Sequence, residues 1–505
     1  MYFPLVDDAP QAAVITAGDL RTGLGCEYGL LVAADVRLGR REAVEAAPDP
    51  VRERFGDLGR EREQEVTRAL THEVGEGVVD ALGLQPEDLL AVLRDPRTRL
   101  VHQAPVRGER FVGRADHLLH DGEGSWVVVE TKLARSARHD ALVQVASYAR
   151  ALADDGVPVA PFVRLILGDD SVVDTPREDL DPELEAVRDR VLEVLDTHQG
   201  EGGPARWGDP RWRACLRCEA CRAELADRGD VGLVAGVHSS SRKLLVAAGV
   251  STIHELAERT HPVDGLHDER LAAMRSQAAL QLIEPTDERP LAYEIHSPAA
   301  LASLPAPSVG DVFFDFEGDP MWRGSDGEIG LEYLFGCLTA DDGFTPFWAH
   351  DRAQERAALV AFVDWLVERR TRWPDLHVYH YADYERSALT RLAKRHDVYR
   401  DEVAGLLADG VFVDLYAVVK SGVRVGSASY SIKRLEPLYM GDELRDADGV
   451  TAGGDSIIEY QRFREAVVAG DAEQAEARLE GLRQYNEYDC LSTLRLRDWL
   501  LAHAG

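Results

Sequence analysis

The chain has little that would tie it to a membrane, an export route or a repeat architecture. Its 505 residues hold no apolar run near the ~18 needed to cross a bilayer, so a soluble protein is expected. Between Met1 and Leu20 there is no basic segment followed by an apolar stretch, so neither a secretory nor a transit signal is indicated, and the cytoplasm is the expected compartment. No repeat of fixed period and no long low-complexity tract occurs, which argues against solenoids and fibrous arrays. A Gly-x4-Gly-Lys-Ser/Thr phosphate loop is also missing, so a nucleotide-driven motor, if one is needed, must come from elsewhere.

Basic residues are scarce: 57 Lys and Arg stand against 89 Asp and Glu, a net charge of −32. Such a chain repels a polyanion at long range, and any nucleic-acid site has to be a local channel. The same balance suits clustered carboxylates that hold divalent cations for phosphodiester hydrolysis. Six cysteines in a reducing compartment are not expected to form disulfides.

At this length two or three domains are expected. Punctuation at Gly200 to Pro204 and at Ser297 to Gly310 places boundaries near residues 230 and 305. In the first segment, Arg110–Leu119 and Trp126–Lys132 read as strands, His139–Leu152 as a helix and Phe162–Leu167 as a further strand. In the last, strands are expected over Val312–Phe316, Tyr333–Leu338, Thr345–Ala349 and Leu376–Tyr381, with helices over Ala353–Arg370 and from near Asp383. The whole reads as α/β, its last segment with a mixed sheet. Between them, Arg242 to Leu256 reads as two helices about Gly249, with Ser251 or Thr252 as the second cap. This is half of a helix–hairpin–helix module or an ordinary helical linker.

The first chemical constellation is Gly113-Arg-Ala-Asp116 on one strand and Glu130-Thr-Lys132 at the end of the next. Residues i and i+2 of a strand share a face, so Glu130 and Lys132 converge. Asp116 and Glu130 suit a hard divalent cation, and Lys132 suits water positioning or phosphate charge. Taken alone, Glu-x-Lys also describes an exposed strand-end ion pair. Gln144 and Tyr148 follow at i and i+4 on one helical face. This set resembles the RecB-type branch of the PD-(D/E)XK nucleases. That resemblance implies a metal-binding acid from an N-terminal Gly-x-x-His-Glu helix. Here Gly59-Arg-Glu-Arg62-Glu63 keeps Glu63 but has Arg62 at the His position, and Glu61 and Glu65 flank it as a solvated charged helix would.

Cys215-Leu-Arg-Cys218-Glu-Ala-Cys221 and the distant Cys26 supply four thiolates from opposite ends of this segment. Four cysteines suit a [4Fe–4S] cluster or zinc. The layout of one Cys before the nuclease core and three after it resembles CRISPR-associated RecB-like exonucleases and AddB-type nucleases, which implies [4Fe–4S], with zinc as the alternative. Cys337 and Cys490 lie in apolar stretches and read as core thiols.

The second constellation is Val312-Phe-Phe-Asp315-Phe-Glu317, two acids on one face of an apolar strand, followed by a Gly-Asp-Pro segment that reads as a turn. Near the other end Tyr485-Asn-Glu-Tyr-Asp489 puts a phenol and a carboxylate one helical turn apart. Together they resemble the tyrosine subtype of the DEDD exonucleases, of RNase H-like fold. The resemblance implies that Asp315, Glu317 and Asp489 bind Mg2+ or Mn2+ and that Tyr485 orients the attacking water. The family's second motif falls on His380-Tyr-Ala-Asp383-Tyr384-Glu385, with Glu385 at the acid position and Asp383 two residues earlier as the alternative. Asp414 is a supporting acid or a plain strand-end residue.

Over nearly the whole chain, Ser429-Tyr-Ser-Ile-Lys433 included, the pattern resembles a bacterial family of RecB-like nucleases fused to an RNase H-like exonuclease domain, some with a helicase. The expectation is therefore a PD-(D/E)XK domain over 1–230, a helix–hairpin–helix-like connector over 231–304 and a DEDD domain over 305–505. The implied activity is metal-dependent hydrolysis of DNA, at single-stranded ends, in repair, recombination or defence, with a helicase as partner. The rival expectations are an RNA-directed enzyme of the same folds and a non-catalytic nucleic-acid clamp.

Overall fold

Continuous β-branched runs form strands covered on both faces, whereas alternation marks strands whose two sides meet different partners. Both patterns govern the computed structural model, which describes residues 1–6, 9–43, 50–286, 290–324, 328–444 and 453–505. Two compact units result, Met1–Asp227 and Arg228–Gly505.

In the first unit six strands, β1 (Val78–Asp80), β2 (Leu100–Gly108), β3 (Phe111–His120), β4 (Trp126–Thr131), β5 (Phe162–Ile166) and β6 (Val172–Pro176), form one sheet in chain order. β1 with β2 and β4 with β5 are parallel, and the other neighbours are antiparallel. The buried run Val127, Val128 and Val129 makes β4 a central strand. Among the described residues seven helices surround this sheet or extend from it: the short Pro86–Arg94 and six labelled here, α1 (Ala17–Gly25), α2 (Glu27–Arg37), α3 (Pro50–Val74), α4 (His139–Asp154), α5 (Arg177–Glu201) and α6 (Glu219–Asp227). The parallel β4–β5 pair requires a crossover, which α4 supplies through its buried Val145, Ala146, Ala149 and Leu152. Asp35 of α2 is wholly buried, accepting from His198 Nε2 at 2.7 Å and from the Ala205 amide at 2.7 Å, which ties α2 to the segment leading into the cysteines.

The second unit begins with α7 (Ser239–Ala247), α8 (Ile253–Glu258) and α9 (Asp268–Gln281) around their own apolar cluster, including Val231, Leu245, Leu256 and Met274. Gly249 between α7 and α8 has φ +78°, which favours glycine, and Thr252 caps α8 in a reciprocal capping box with Glu255. The strand Tyr293–Ile295 pairs with Val423–Val425, so this helical segment is joined to the sheet domain that follows by main-chain hydrogen bonds.

That domain contains β7 (Val312–Arg323), β8 (Ile329–Thr339), β9 (Gly343–Trp348), β10 (Val378–His380) and β11 (Phe412–Asp414) in the order β9-β8-β7-β10-β11. β8 runs antiparallel to both β7 and β9, and β10 and β11 continue parallel to β7. Its longest helices are α10 (Arg352–Arg372), α11 (Tyr384–His396), α12 (Gly453–Ala469) and α13 (Ala472–Ala502). Alternation along β7 decides what each residue meets: Val312, Phe314 and Phe316 join the core with α10 and α11, while Phe313 joins the core with α13. The odd-numbered residues Asp315 and Glu317 are thereby turned toward α13. One expectation is corrected here. Gly318-Asp-Pro is not a turn after Glu317, because β7 continues to Arg323 after a register shift between Glu317 and Gly318.

Glu355 on α10 is wholly buried and accepts from Arg395 at 3.0 Å, His396 at 2.7 Å, Arg352 at 2.5 Å and the Glu332 amide at 2.8 Å. Burial alone would raise its pKa, but these donors outweigh it and hold the carboxyl down at about 2. A depressed carboxylate stabilises the fold fully above its ordinary value and loses that contribution as pH falls through the folded value, here between roughly pH 4.5 and 2. Glu355→Gln leaves buried cations uncompensated and is expected to cost about 3–5 kcal/mol in urea unfolding at pH 7. The gap to wild type should shrink as pH falls toward 3, and a constant gap would contradict the assignment.

Candidate functional site

Each unit gathers acids along central strands of its sheet, and the first also gathers four thiols. Among the described residues two groups have all their ligand atoms within 4.8 Å of one another: Cys26, Cys215, Cys218 and Cys221, and Asp315, Glu317 and Asp489.

The second group sits where β7 meets α13. Asp315 pairs across the sheet with Gly336 and Glu317 with Leu334, while Asp489 projects from α13. Glu317 and Asp489 are buried. Burial first, then Asp489, Glu317 and Glu385, pushes the Asp315 carboxyl well above its usual range, with Lys433 opposing. Glu317 is likewise pushed up to about 8 by burial and by Asp489, although Ser456 Oγ donates to it at 2.7 Å. Three converging acids, two of them buried, that repel one another this strongly fit a hard divalent cation, whose charge and oxygen preference remove the conflict.

Asn486 is wholly buried and donates through Nδ2 to Asp315 Oδ2 at 2.7 Å, fixing that carboxylate. Its close approach explains Gly336: a Cβ there would collide with Asn486 Oδ1. Gly336→Ala should therefore destabilise the second unit by about 1–3 kcal/mol in chemical unfolding, and a further Asn486→Ala should recover most of the loss. A neutral Gly336→Ala would refute the close approach.

Tyr485 lies one turn before Asp489 on α13, as its spacing requires, and its hydroxyl accepts from Lys433 Nζ at 2.7 Å. Glu385 is buried and near enough to raise the Asp315 pKa, with His380 Nδ1 3.4 Å from its carboxylate, but it is not one of the three converging acids. Asp383 is exposed at the start of α11. Asp414 accepts from the Ala382 amide at 2.9 Å and the Tyr416 amide at 2.8 Å, so it braces the loop between β10 and α11 and caps the helix Leu415–Gly422.

In the first unit, β3 pairs with β4 so that His117 opposes Val129, which sets Asp116 beside Glu130. The Thr131 amide donates to Asp116 at 2.8 Å, and Lys132 Nζ donates to Glu130 at 2.6 Å and to Gln144 Oε1 at 3.2 Å. Gln144 in turn donates to the Tyr148 hydroxyl at 3.2 Å. These five residues form one chain of contacts. Gly113 allows it, since a Cβ there would strike the Tyr148 ring. Burial first, then Glu130 and Glu63, pushes Asp116 up to about 8. Glu63 on α3 accepts from His102 at 2.9 Å and from Gln103, and sits near Asp116 outside any tight carboxylate group. Arg62 is buried and donates to the Leu167 carbonyl at 2.9 Å while pairing with Asp170. It braces α3 against the end of β5.

Cys26 is the N-cap of α2, and its sulfur accepts from the Gly29 amide at 3.2 Å and the Cys215 amide at 3.4 Å. Sulfur separations are 3.5 Å for Cys26–Cys221, 3.7 Å for Cys26–Cys218 and 3.9 Å for Cys215–Cys221. The Cys221 hydrogen bond, with these amides, holds the Cys26 thiol down to about 5, toward the thiolate that binds metal. Four thiols so placed fit a thiophilic metal. Zinc–sulfur bonds of ~2.3 Å give a tetrahedral edge of ~3.8 Å, matching these separations. A four-iron cubane interposes its own irons and needs wider spacing. Cys337 and Cys490 are buried core thiols, as expected.

Sequence reasoning missed Lys433, Asn486 and Ser456 as parts of the second site. Lys433 and Asn486 stood inside quoted motifs, but only tertiary contact assigns them a partner. Ser456 carried no signal at all.

Residues 312–501 match the family model RNase_H_2 of the RNase H superfamily. The match implies a nucleic-acid-cleaving hydrolase domain that uses divalent metal. No curated protein matches the chain. Among the described residues no helix is long and apolar enough to cross a membrane.

Proposed function

We propose that this protein is a metal-dependent nuclease with two sites, hydrolysing DNA at single-stranded ends. The observation that carries the reading is the convergence of Asp315 with the buried Glu317 and Asp489 inside the segment that matches the RNase H superfamily. Mg2+ or Mn2+ held there would polarise the phosphate and activate water, Tyr485 would orient that water, and Glu385 would complete the acid set from the loop end of α11. This is the DEDD reading, over 305–505.

The first unit is read as a RecB-like PD-(D/E)XK domain over 1–230. Support comes from the contact chain of Asp116, Glu130, Lys132, Gln144 and Tyr148, with Glu63 beside it. Asp116 and Glu130 would hold the cation, and Lys132 would steady the attacking water. The segment 231–304 is read as a helix–hairpin–helix-like connector that holds phosphate without reading bases. A helicase partner would deliver strands to both sites. The cysteine centre staples the first unit. Its compact spacing and family layout favour [4Fe–4S], whereas the sulfur separations favour zinc. Anaerobic purification with iron, sulfide and zinc analysis separates the two.

The test is cleavage of labelled single-stranded DNA, and of RNA of the same sequence, by wild type, Lys132→Ala, Asp315→Ala and the double variant in Mg2+ or Mn2+. Each single variant should lose one mode of cleavage and the double variant all of it. RNA cut in preference to DNA would replace the substrate. Binding without cleavage would reduce the protein to a clamp.

A further inference from the structure

A positive charge facing the acids of the second site comes from Lys433, at the end of the Ser429-Tyr-Ser-Ile-Lys433 motif. Lys433 sits on the short helix Ile432–Leu435, and its ammonium lies 2.7 Å from the Tyr485 hydroxyl and 5.0 Å from the centre of that ring. A lysine normally samples many rotamers, and one placed by chance on a loop would not hold this geometry.

Here the backbone around it is anchored on several sides. Tyr381 donates its hydroxyl to the Tyr430 carbonyl, Tyr430 donates to Gln277 Oε1 at 2.9 Å, Tyr439 donates to the Ile432 carbonyl at 3.4 Å, and Leu435 is buried. The anchors come from the residue that follows β10, from α9 and from the turn after the short helix. The lysine is therefore presented by a fixed frame.

A phenol has one proton and an oxygen that accepts, and an ammonium can only donate. With Lys433 donating to the oxygen, the phenolic proton is turned away from Lys433 and the ring is held at one end of its arc. We propose that Lys433 is a positioning residue for the second site, acting through Tyr485 by fixing the phenol against the acids on α13 and β7. This rests on reading that site as a metal-dependent nuclease. Lys433 does not bind the metal and does not touch the scissile phosphate. It sets where the water-orienting hydroxyl points.

The test uses the full chain carrying Lys132→Ala, so that only the second site cuts. Single-turnover cleavage of single-stranded DNA at saturating Mn2+ is compared for the parent, Lys433→Met, Lys433→Arg, Tyr485→Phe and Lys433→Met/Tyr485→Phe. Displacing a positioned group costs about 10²-fold. Lys433→Met should fall by about that factor, matching Tyr485→Phe, with KM and Mn2+ affinity by electron paramagnetic titration unchanged. The double variant should be no slower than the slower single one, and Lys433→Arg should recover part of the rate.

Additive losses, or a Lys433→Met defect confined to KM or Mn2+ affinity, overturn the proposal, because Lys433 would then act on substrate or screen the acids. A 3-fluorotyrosine label at position 485 reads the ring without activity. Its fluorine resonance should shift and broaden in Lys433→Met, and an unchanged resonance overturns the positioning role. A parent that fails to cut while the resonance does respond would sink the nuclease reading and leave the Lys433–Tyr485 pairing standing.

Discussion

Replacing Asp315 by Asn should abolish metal-dependent cleavage at the second site and, in metal-free buffer, make the protein more stable. The loss of activity should be about 10³-fold or more, since the cation supplies several kcal/mol of charge stabilisation in the transition state and Asp315 stands between its partner acids. The gain in stability has the same origin. Burial and the neighbouring acids push the Asp315 carboxyl far above its usual range, so its charge is a liability to the fold without metal. The sign follows from the raised values. Glu317, at about 8 against an ordinary 4.5, contributes stability in full below 4.5 and loses it as pH rises through 8. Metal-free wild type should weaken over that interval, and Asp315→Asn should weaken less. Mg2+ at a hundred times its dissociation constant should stabilise the second unit of wild type by about 2.7 kcal/mol and the second unit of the variant by almost nothing. Thermal unfolding at pH 5 and 8, with and without Mg2+, measures all of this. Equal Mg2+ stabilisation of both proteins would remove the metal from this site.

Cys221→Ser should cost the first unit its metal and much of its cooperative stability. Serine is close in volume, so packing changes little and the lost interaction is the thiolate ligand. Cys26 and Cys221 are 195 residues apart and their sulfurs are 3.5 Å apart, so the centre closes nearly the whole unit into one loop. Structural four-thiolate zinc binds with about 10–16 kcal/mol of apparent free energy, much of which appears as folding free energy. Hydrogen exchange should show lost protection in α2 and α6, the two helices that carry Cys26 and Cys221, while β7, β8 and α13 keep theirs. Wild-type protection throughout, with metal absent, would make the cysteines free thiols.

The acids and thiols were legible because short-range geometry places them. Asp315 and Glu317 share a face since strands repeat every two residues, Tyr485 and Asp489 share one since helices turn every 3.6, and the cysteine run carries metal spacing in its own letters. The apolar runs Val127–Val129 and Val312–Phe314 likewise announced strands. Less was legible where a local signal met a competing long-range one. Gly318-Asp-Pro has turn composition, yet pairing with Leu331 and Glu332 keeps it in β7. That Glu63 accepts from His102 and Gln103 of β2, and that Arg62 is taken up by the end of β5, carried no signal in the motif either.

Residue order alone thus determined which faces carry carboxylates, which segments supply thiols and which way the apolar sides turn, because those depend on the repeat of the backbone. The tertiary structure alone decided that Asp489 converges with Asp315 and Glu317 while Glu385 lies near Asp315 outside that tight group, that Asn486 needs Gly336, and that Lys433 finds Tyr485. These pairings join residues tens to nearly two hundred positions apart, and only close packing of α13 and its neighbours on the sheet brings them within hydrogen-bond reach.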